Sequence, residues 1–256
     1  MNAVAHPDAR PDLHRPGVGA VLVSTWRVGT PERQRAAVDA IRTAWESRAW
    51  PDLGLLSYSV YIGTDGDTLL HYSQWTEEQA YEDFVRTYRD DRNAEIDAAV
   101  PGVERVELRR YAPIHRSAVR DRPGTGELPG TVVVVEADFG GPDTGGREDW
   151  VDTVFAAMDE DATLRPGSGG SGVHFHLSTD GGRVLNYAEW ESEQAHVEWL
   201  ADDARLSEAW TRVHRHPGLV GSRVKRYTPA LSLHDGRHGG LVGARQLLGE
   251  QVERVA

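Results

Sequence analysis

The stretch Tyr72-Ser73-Gln74-Trp75-Thr76-Glu77-Glu78-Gln79-Ala80 returns as Tyr187-Ala188-Glu189-Trp190-Glu191-Ser192-Glu193-Gln194-Ala195, 115 residues further on. Tyr, Trp, Glu, Gln and Ala hold matching places in both copies. A repeat of that period in a chain of 256 residues implies two similar units near the usual size of a small domain.

Each unit reads in the same order. In the first, Val18 to Val28 alternates as a strand, and Thr30-Pro31 opens a helix with Thr30 as N-cap and Pro31 in the first turn. Leu55 to Gly63 and Thr68 to Trp75 are strands around Asp65-Gly66, a dipeptide that favours a type I′ hairpin turn. Thr76 with Gln79 three residues on predicts a capping box, and a helical stretch then runs to about Ala99. Pro101-Gly102 breaks it, and Val103 to Tyr111 is the closing strand. The second unit repeats this with a strand from Thr131, a helix over 147–159, a hairpin about Asp180-Gly181, helices to His214 and a strand from Val220 to Tyr227, ended by Pro229.

The order β-α-β-β-α-β is the ferredoxin-like motif. The fold class expected is α+β: two such units in tandem, forming within one chain the α+β barrel that related folds build as dimers. The expected limits are a disordered N-terminus over 1–17, unit one over 18–116, a linker over 117–129, unit two over 130–231 and a tail over 232–256. Gly-rich 165–172 reads as a flexible lip, and Leu241 to Val252 as a short amphipathic piece.

A two-residue turn fixes the register of a hairpin. Counting back from Asp65-Gly66 sets Val60 opposite His71, Tyr58 opposite Ser73 and Leu56 opposite Trp75, all on one face. The same counting groups Val173, Phe175, Asn186, Ala188 and Trp190. This face is apolar with one polar group, His71 or Asn186, set into it, and is assigned to the helix side. The other face carries Ser59, Tyr61, Leu70, Tyr72 and Gln74, and in unit two His174, His176, Leu185, Tyr187 and Glu189. It is assigned to the contact between sheets. On the helix-side face, Tyr58, Val60, Ser73, Val173, Phe175 and Ala188 are the candidate substrate-binding residues.

Composition narrows the function. A net charge of −12 repels phosphate backbones, so nucleic acid is a poor partner. No apolar run approaches membrane-spanning length, and residues 1–17 hold no apolar core of a secretory signal. These features fit a cytoplasmic protein. Cysteine is absent, which removes thiolate metal sites and cysteine nucleophiles. His174-Phe175-His176 places two imidazoles on one strand face, but no third ligand is fixed beside them, so no metal site is expected.

The Tyr-x-x-Trp-x-x-Glu-Gln-Ala pattern, in units of this order and length, resembles the antibiotic biosynthesis monooxygenase superfamily. The resemblance covers about 18–116 and 130–231. In members that oxidise polycyclic aromatic polyketides it implies an Asn four residues before the Trp and a Tyr about six after. Unit two matches with Asn186 and Trp190 but has His196 at the third place; unit one has His71, Trp75 and Tyr81. These six are the candidate catalytic residues. Haem-degrading members are similar to one another in a His about ten residues after the Trp, where this chain has Val85 and Leu200.

The resemblance implies an oxygenase of aromatic polyketide biosynthesis. It would oxidise an electron-rich phenol or hydroquinone with O2 as co-substrate and no bound metal or flavin, giving a quinone or a ring-cleaved product. Such chemistry needs a dry aromatic pocket, a base and a donor for the enolate oxygen; imidazole suits the base and an Asn amide the donor. The competing expectations are an aromatic-ligand-binding or scaffold protein of the same fold, and a haem- or metal-dependent monooxygenase. A monomer and a homodimer are both compatible with fused units.

Overall fold

The computed structural model describes residues 2–119, 128–141, 144–161, 163–164 and 169–236. After a short strand β1 (Ala3–Ala5), unit one comprises β2 (Ala20–Arg27), α1 (Pro31–Glu46), β3 (Leu55–Gly63), β4 (Thr68–Trp75), α2 (Glu78–Phe84), α3 (Asp90–Ala99) and β5 (Glu104–Tyr111). Strand β6 (Arg116–Val119) follows. Unit two is β7 (Thr131–Phe139), α4 (Thr144–Glu160), β8 (Gly170–Leu177), β9 (Arg183–Trp190), α5 (Glu193–Ala201), α6 (Glu208–His214) and β10 (Leu219–Asp235). Both units have the expected β-α-β-β-α-β order.

The strands form one antiparallel sheet in the order β5-β2-β4-β3-β10-β7-β9-β8-β6, with β1 on the far half of β10. The two units are joined by exchanged strand ends. Strand β10 pairs with β7 of its own unit up to Tyr227 and, from Tyr227 on through Pro229 to His234, with β3 of unit one. In return β6 leaves unit one and pairs with β8, Arg116 lying opposite Phe175 just as Leu231 lies opposite Val60. The ladders stop short of a closed ring. Between β5 and β8 there is a single bridge, Tyr111 with Ser178, helped by Thr179 N–H to Arg110 O at 3.0 Å and Ala112 N–H to Leu177 O at 3.0 Å.

Several expectations are corrected here. Residues 1–17 are not wholly disordered: β1 pairs with β10, and Gln74 Nε2 donates to Asp12 O at 2.8 Å. Ser117–Val119, read as linker, is strand, while 120–127 lies outside the described residues. The last strand does not end at Pro229 but runs on through Ser232–Asp235, read as tail. Proline lacks a ladder donor, and Pro229 sits where the pairing with β3 shifts register, so the strand survives it. Of the Gly-rich lip, Gly170–Gly172 is strand and 165–168 lies outside the described residues, as does Leu241–Val252.

The hairpin register of Val60 with His71 and Tyr58 with Ser73 is as counted, but Leu55, not Leu56, faces Trp75, because a bulge intervenes before Ser57. Neither turn is type I′, which needs positive φ at both central residues. Only Gly66 (φ 74°) and Gly181 (φ 81°) are left-handed there. Asp65 Oδ1 instead accepts from the Asp67 and Thr68 N–H groups, and Asp180 Oδ1 from Gly182 N–H. The Thr30 cap and Pro31 stand. The capping box at Thr76 does not form: α2 starts a residue later, with Glu77 as N-cap and no side-chain cap bond. At the matching place in unit two Ser192 caps α5, accepting from Ala195 N–H at 3.1 Å.

The face assignment holds. Val60, Leu69 and Trp75 pack with Ile41, Trp45 and Phe84 under the helices of unit one. The opposite face forms a separate core between the sheet halves, in which Tyr61, Leu70 and Tyr72 meet Leu185, Tyr187 and Tyr227. There the Tyr61 and Tyr187 hydroxyls are 3.1 Å apart. His174 and His176 lie on this inner face: His176 Nδ1 donates to Ala112 O at 3.0 Å, and His174 meets the His14 ring at 5.3 Å. No helix among the described residues is long and apolar enough to cross a membrane.

Where β5 and β8 fail to zip, charges clasp them. Arg183, 4% exposed, donates to Glu107 of β5 at 3.1 Å and to Glu136 and Asp138 of β7 at 2.9 and 2.6 Å. Arg109 reaches Asp180 at 2.8 Å. Burial alone would raise the Glu107 carboxyl, but hydrogen bonds and charge from Arg109 and Arg183 outweigh it and hold it below its ordinary value. Because the carboxylates are partly exposed, Arg183→Met is expected to cost ~2–3 kcal/mol, at the low end for breaking a buried pair. The sign of the pH dependence follows from the lowered carboxyl. The stabilisation is complete above the unfolded carboxyl's value and is lost as pH falls through the folded one. Thermal melts of wild type and Arg183→Met should therefore differ at neutral pH and converge in acid.

Candidate functional site

The helix-facing surfaces of the two units differ in what fills them. In unit one the space over β3 and β4 is occupied by its own rings. Tyr58 stacks on Trp45 at 4.8 Å, Trp45 on Phe84 at 5.7 Å, and Leu55 covers Trp75. His71, 3% exposed, lies 4.1 Å from the Trp26 ring. In unit two Val173 stands at the place of Tyr58 and Gly170 at that of Leu55, as the matching ladders show. These two reductions leave a cavity of about 450 Å³. Its floor is Val173, Phe175, Asn186, Ala188 and Trp190; its roof is Trp150 and Val154 of α4, Trp199 of α5 and Trp210 of α6. The exposed Leu200, Leu206 and Val224 rim its mouth.

All the candidates of unit two thus meet in one cavity: Asn186, Trp190 and His196, with Val173, Phe175 and Ala188. Those of unit one, His71, Trp75 and Tyr81 with Tyr58, Val60 and Ser73, are also brought together, but as packed core and its margin.

Chemically the two sets diverge further. Tyr58 and His71 Nδ1 are 2.7 Å apart. Burial raises the phenol well above its ordinary value, so Tyr58 keeps its proton and donates to Nδ1. Burial, aided by the charge of Arg105, pushes His71 down to about 3. A neutral ring with Nδ1 occupied carries its proton on Nε2, which has no hydrogen-bond partner. The expectation of His71 as a base near neutrality does not survive this environment. Ser73 accepts from Trp75 Nε1 at 2.8 Å. Ala188 stands at that place in unit two, so the Trp190 indole has no such acceptor.

His196, 3% exposed, is set against Trp190 at 4.9 Å. Arg226 Nε donates to its Nδ1 at 2.9 Å. Guanidinium can only donate, so Nδ1 must accept and the ring proton sits on Nε2. Burial, then the Arg226 charge, lowers His196 to about 4. It therefore offers the cavity a neutral N–H donor. Asn186 Oδ1 is buried there without a partner, an acceptor that a bound group must satisfy. Trp199 Nε1 and two nitrogens of Arg205 are likewise buried donors without partners.

One consequence is a pH profile. His71, His176 and His196 are held neutral down to about 3, 4 and 4 respectively, each chiefly by burial. Activity should not follow an imidazole titration between about pH 5 and 8. Stability should: the unfolded chain takes up protons at these residues below about pH 6.5 and the folded one does not, so the melting temperature falls as pH drops from about 6.5 toward 4. A melting temperature flat over that interval would contradict the neutral, buried assignment.

Trp199, Arg205 and Arg226 were not singled out from the sequence. Trp199 could have been, since it is the repeat counterpart of Phe84 on a buried helix stripe. Arg226 and Arg205 carry no such mark: β10 brings Arg226 to His196, and a helix-to-helix turn brings Arg205 to the cavity.

No protein-family model and no curated protein matches the sequence. Solved structures do. An anthrone oxidase-like protein superposes with a TM-score of 0.63 at 16% identity, over 91% of this chain and 97% of its own. A Fusobacterium nucleatum protein assigned as a monooxygenase gives 0.53 at 9% identity, over 87% and 96%. One of Lactobacillus acidophilus, assigned likewise, gives 0.50 at 8%, over 85% and 100%. At such identities the likeness is one of fold: the chain has the two-unit, ferredoxin-like α+β architecture of these proteins, spanning nearly the whole of each.

Proposed function

We propose that the protein is an oxygenase acting on an electron-rich polycyclic phenol or hydroquinone, with the cavity of unit two as its active site. The observation that carries this reading is the buried, unpartnered Asn186 Oδ1 acceptor in an aromatic-walled cavity, with the neutral His196 ring and the Trp190 indole beside it. The fold shared with an anthrone oxidase-like protein supports it.

In this reading no flavin or metal takes part, and the aromatic ring is itself the reductant. Asn186 Oδ1 accepts from a phenolic O–H, and the proton leaves to water at the cavity mouth. The resulting anion passes one electron to O2, and the radical pair combines to a peroxide. Loss of water then leaves a carbonyl, so that CH2 and O2 become C=O and H2O. His196 Nε2–H and Trp190 Nε1–H donate to the oxygen on which charge gathers, a role in which fixed donors outperform water. The role of imidazole is thus donor rather than base. Formation of an aromatic quinone in a pathway of polyketide type follows from the substrate class.

A second reading, an aromatic-binding protein without turnover, is favoured by one observation: neither buried imidazole of the two candidate sets has a basicity near neutrality. O2 uptake with a reduced anthraquinone or anthrone, with no flavin or metal added, separates the two. Uptake several times the buffer rate, with quinone formed in proportion, supports the oxygenase; binding with uptake at the buffer rate supports the binder.

A further inference from the structure

Of the polar groups used so far, Asn186 and Trp190 belong to the sheet floor and His196 to α5. The turn over Asp203–Leu206 that joins α5 to α6 adds a cation that the proposed chemistry does not use. Arg205 lies against two indoles that meet edge to face, 4.0 Å over Trp199 and 4.8 Å from Trp210. Its side chain is 10% exposed. One nitrogen, Nη2, is taken up by Asp161 and by Thr163 Oγ1 at 2.9 Å. The other two, Nε and Nη1, are buried with no partner, as is the neighbouring Trp199 Nε1. Arg205, Trp199 and Trp210 all line the cavity.

Buried guanidinium N–H groups left unpaired are costly, and the structure builds this cost in with care. Asp161, 1% exposed, is held in place by Thr163 and by Trp210 Nε1 at 2.9 Å, and in turn fixes Arg205. Burial would raise the Asp161 carboxyl, yet these hydrogen bonds outweigh it and keep it below its ordinary value, hence charged. The comparison within the chain is informative. In the filled unit one Arg92 stacks on Trp45 at 4.6 Å, but its two terminal nitrogens are used up by the Tyr88 and Ala49 carbonyls. Arg92 leaves only its Nε without a partner, whereas Arg205, beside the cavity, leaves both Nε and Nη1.

We propose that Trp199 and Arg205 form a recognition subsite for an anionic oxygen on the aromatic ligand, a carboxylate or an ionised phenol, on the helix side of the cavity. The subsite rests on the reading of this cavity as the ligand site. It selects acidic aromatics over neutral ones of the same shape, and orients them with the anion toward the α5–α6 turn and the remaining ring edge toward Asn186. Aromatic walls accept a flat ring, and the anion supplies the acceptor that three buried nitrogens lack.

The test is calorimetric titration of the full-length protein at neutral pH with naphthoate, with naphthol, which is uncharged there, and with a nitro-substituted naphthol that is ionised. Naphthoate, the ionised naphthol or both should bind at least tenfold tighter than neutral naphthol, and which of them does so identifies the anion. The double variant Arg205→Gln/Asp161→Asn, which keeps a neutral hydrogen-bonded pair in place of the ion pair, should reduce that preference to under twofold. Trp199→Phe should weaken the anions alone. Equal binding of anion and neutral phenol to the wild type overturns the subsite while leaving the cavity as the ligand site. Persistence of the preference in the double variant overturns the assignment to Arg205. Unaltered naphthol binding in a variant whose cavity is filled from the floor, Val173→Tyr, overturns the cavity reading itself, and binding of no probe to the wild type overturns both.

Discussion

Filling the cavity with the residues that unit one already uses, Gly170→Leu with Val173→Tyr, should lower kcat/KM for O2-dependent turnover of the aromatic substrate by about 100-fold or more. It should leave the fold intact. Leu55 and Tyr58 hold these positions in unit one, Leu55 opposite Trp75 as Gly170 is opposite Trp190, and there the space is closed. A Cβ at Gly170 would sit 3.6 Å from the Trp190 ring, ordinary contact distance, so the backbone does not resist the change. Overpacking normally costs ~1–3 kcal/mol, but here the added atoms enter empty space of about 450 Å³, so the melting temperature should hold or rise. The check pairs steady-state O2 uptake with thermal unfolding. Full turnover in a stably folded variant would place the chemistry outside this cavity.

The second large effect separates the two units. Asn186→Leu should reduce kcat by ~100-fold, equivalent to ~3 kcal/mol, because it removes the acceptor that orients the phenolic O–H. Its stability should not fall, because the substitution removes a buried oxygen that has no partner. The reciprocal change in unit one, His71→Asn, should do the opposite. It forfeits the bond from Tyr58 at 2.7 Å and the contact with Trp26, costing ~1–3 kcal/mol of stability with turnover unchanged. Measuring kcat and the melting temperature for both variants gives a crossed pattern. A drop in kcat for His71→Asn as large as that for Asn186→Leu would restore unit one to the chemistry.

How much of this was legible in the sequence is clearest at the hairpins. The repeat and its strand alternation were enough to place Asn186, Ala188, Trp190, Val173 and Phe175 on one face and His174 on the other, since strand geometry has a period of two and the turn residues set the phase. The exception, Leu56, failed because a bulge consumes one residue without any local mark in the string. Which unit is hollow was not read, although the residues that decide it, Tyr58 against Val173 and Leu55 against Gly170, stand in register in the two copies. Their effect depends on helices that approach from distant parts of the chain. The same holds for basicity. Imidazole suggested a base, but burial and the Arg226 bond, formed only after β10 crosses the sheet, make His196 a donor. The Arg205 reserve was invisible for a like reason: it is defined by partners that are missing.

The exchange of strand ends has a further consequence, in assembly. Strand β6 is encoded at the end of the first half yet completes the second beside β8, and the last residues of β10 are encoded with the second half yet complete the first beside β3. Each half is therefore a template with one rib missing, and its sibling carries the rib. A break of the chain between 119 and 128 would not yield two independent domains but two mutually dependent fragments, a complementation pair. Fusion then acts as a guarantee of stoichiometry. It keeps a filled half and a hollow half always together, and lets the hollow one specialise while its partner supplies the rigid frame.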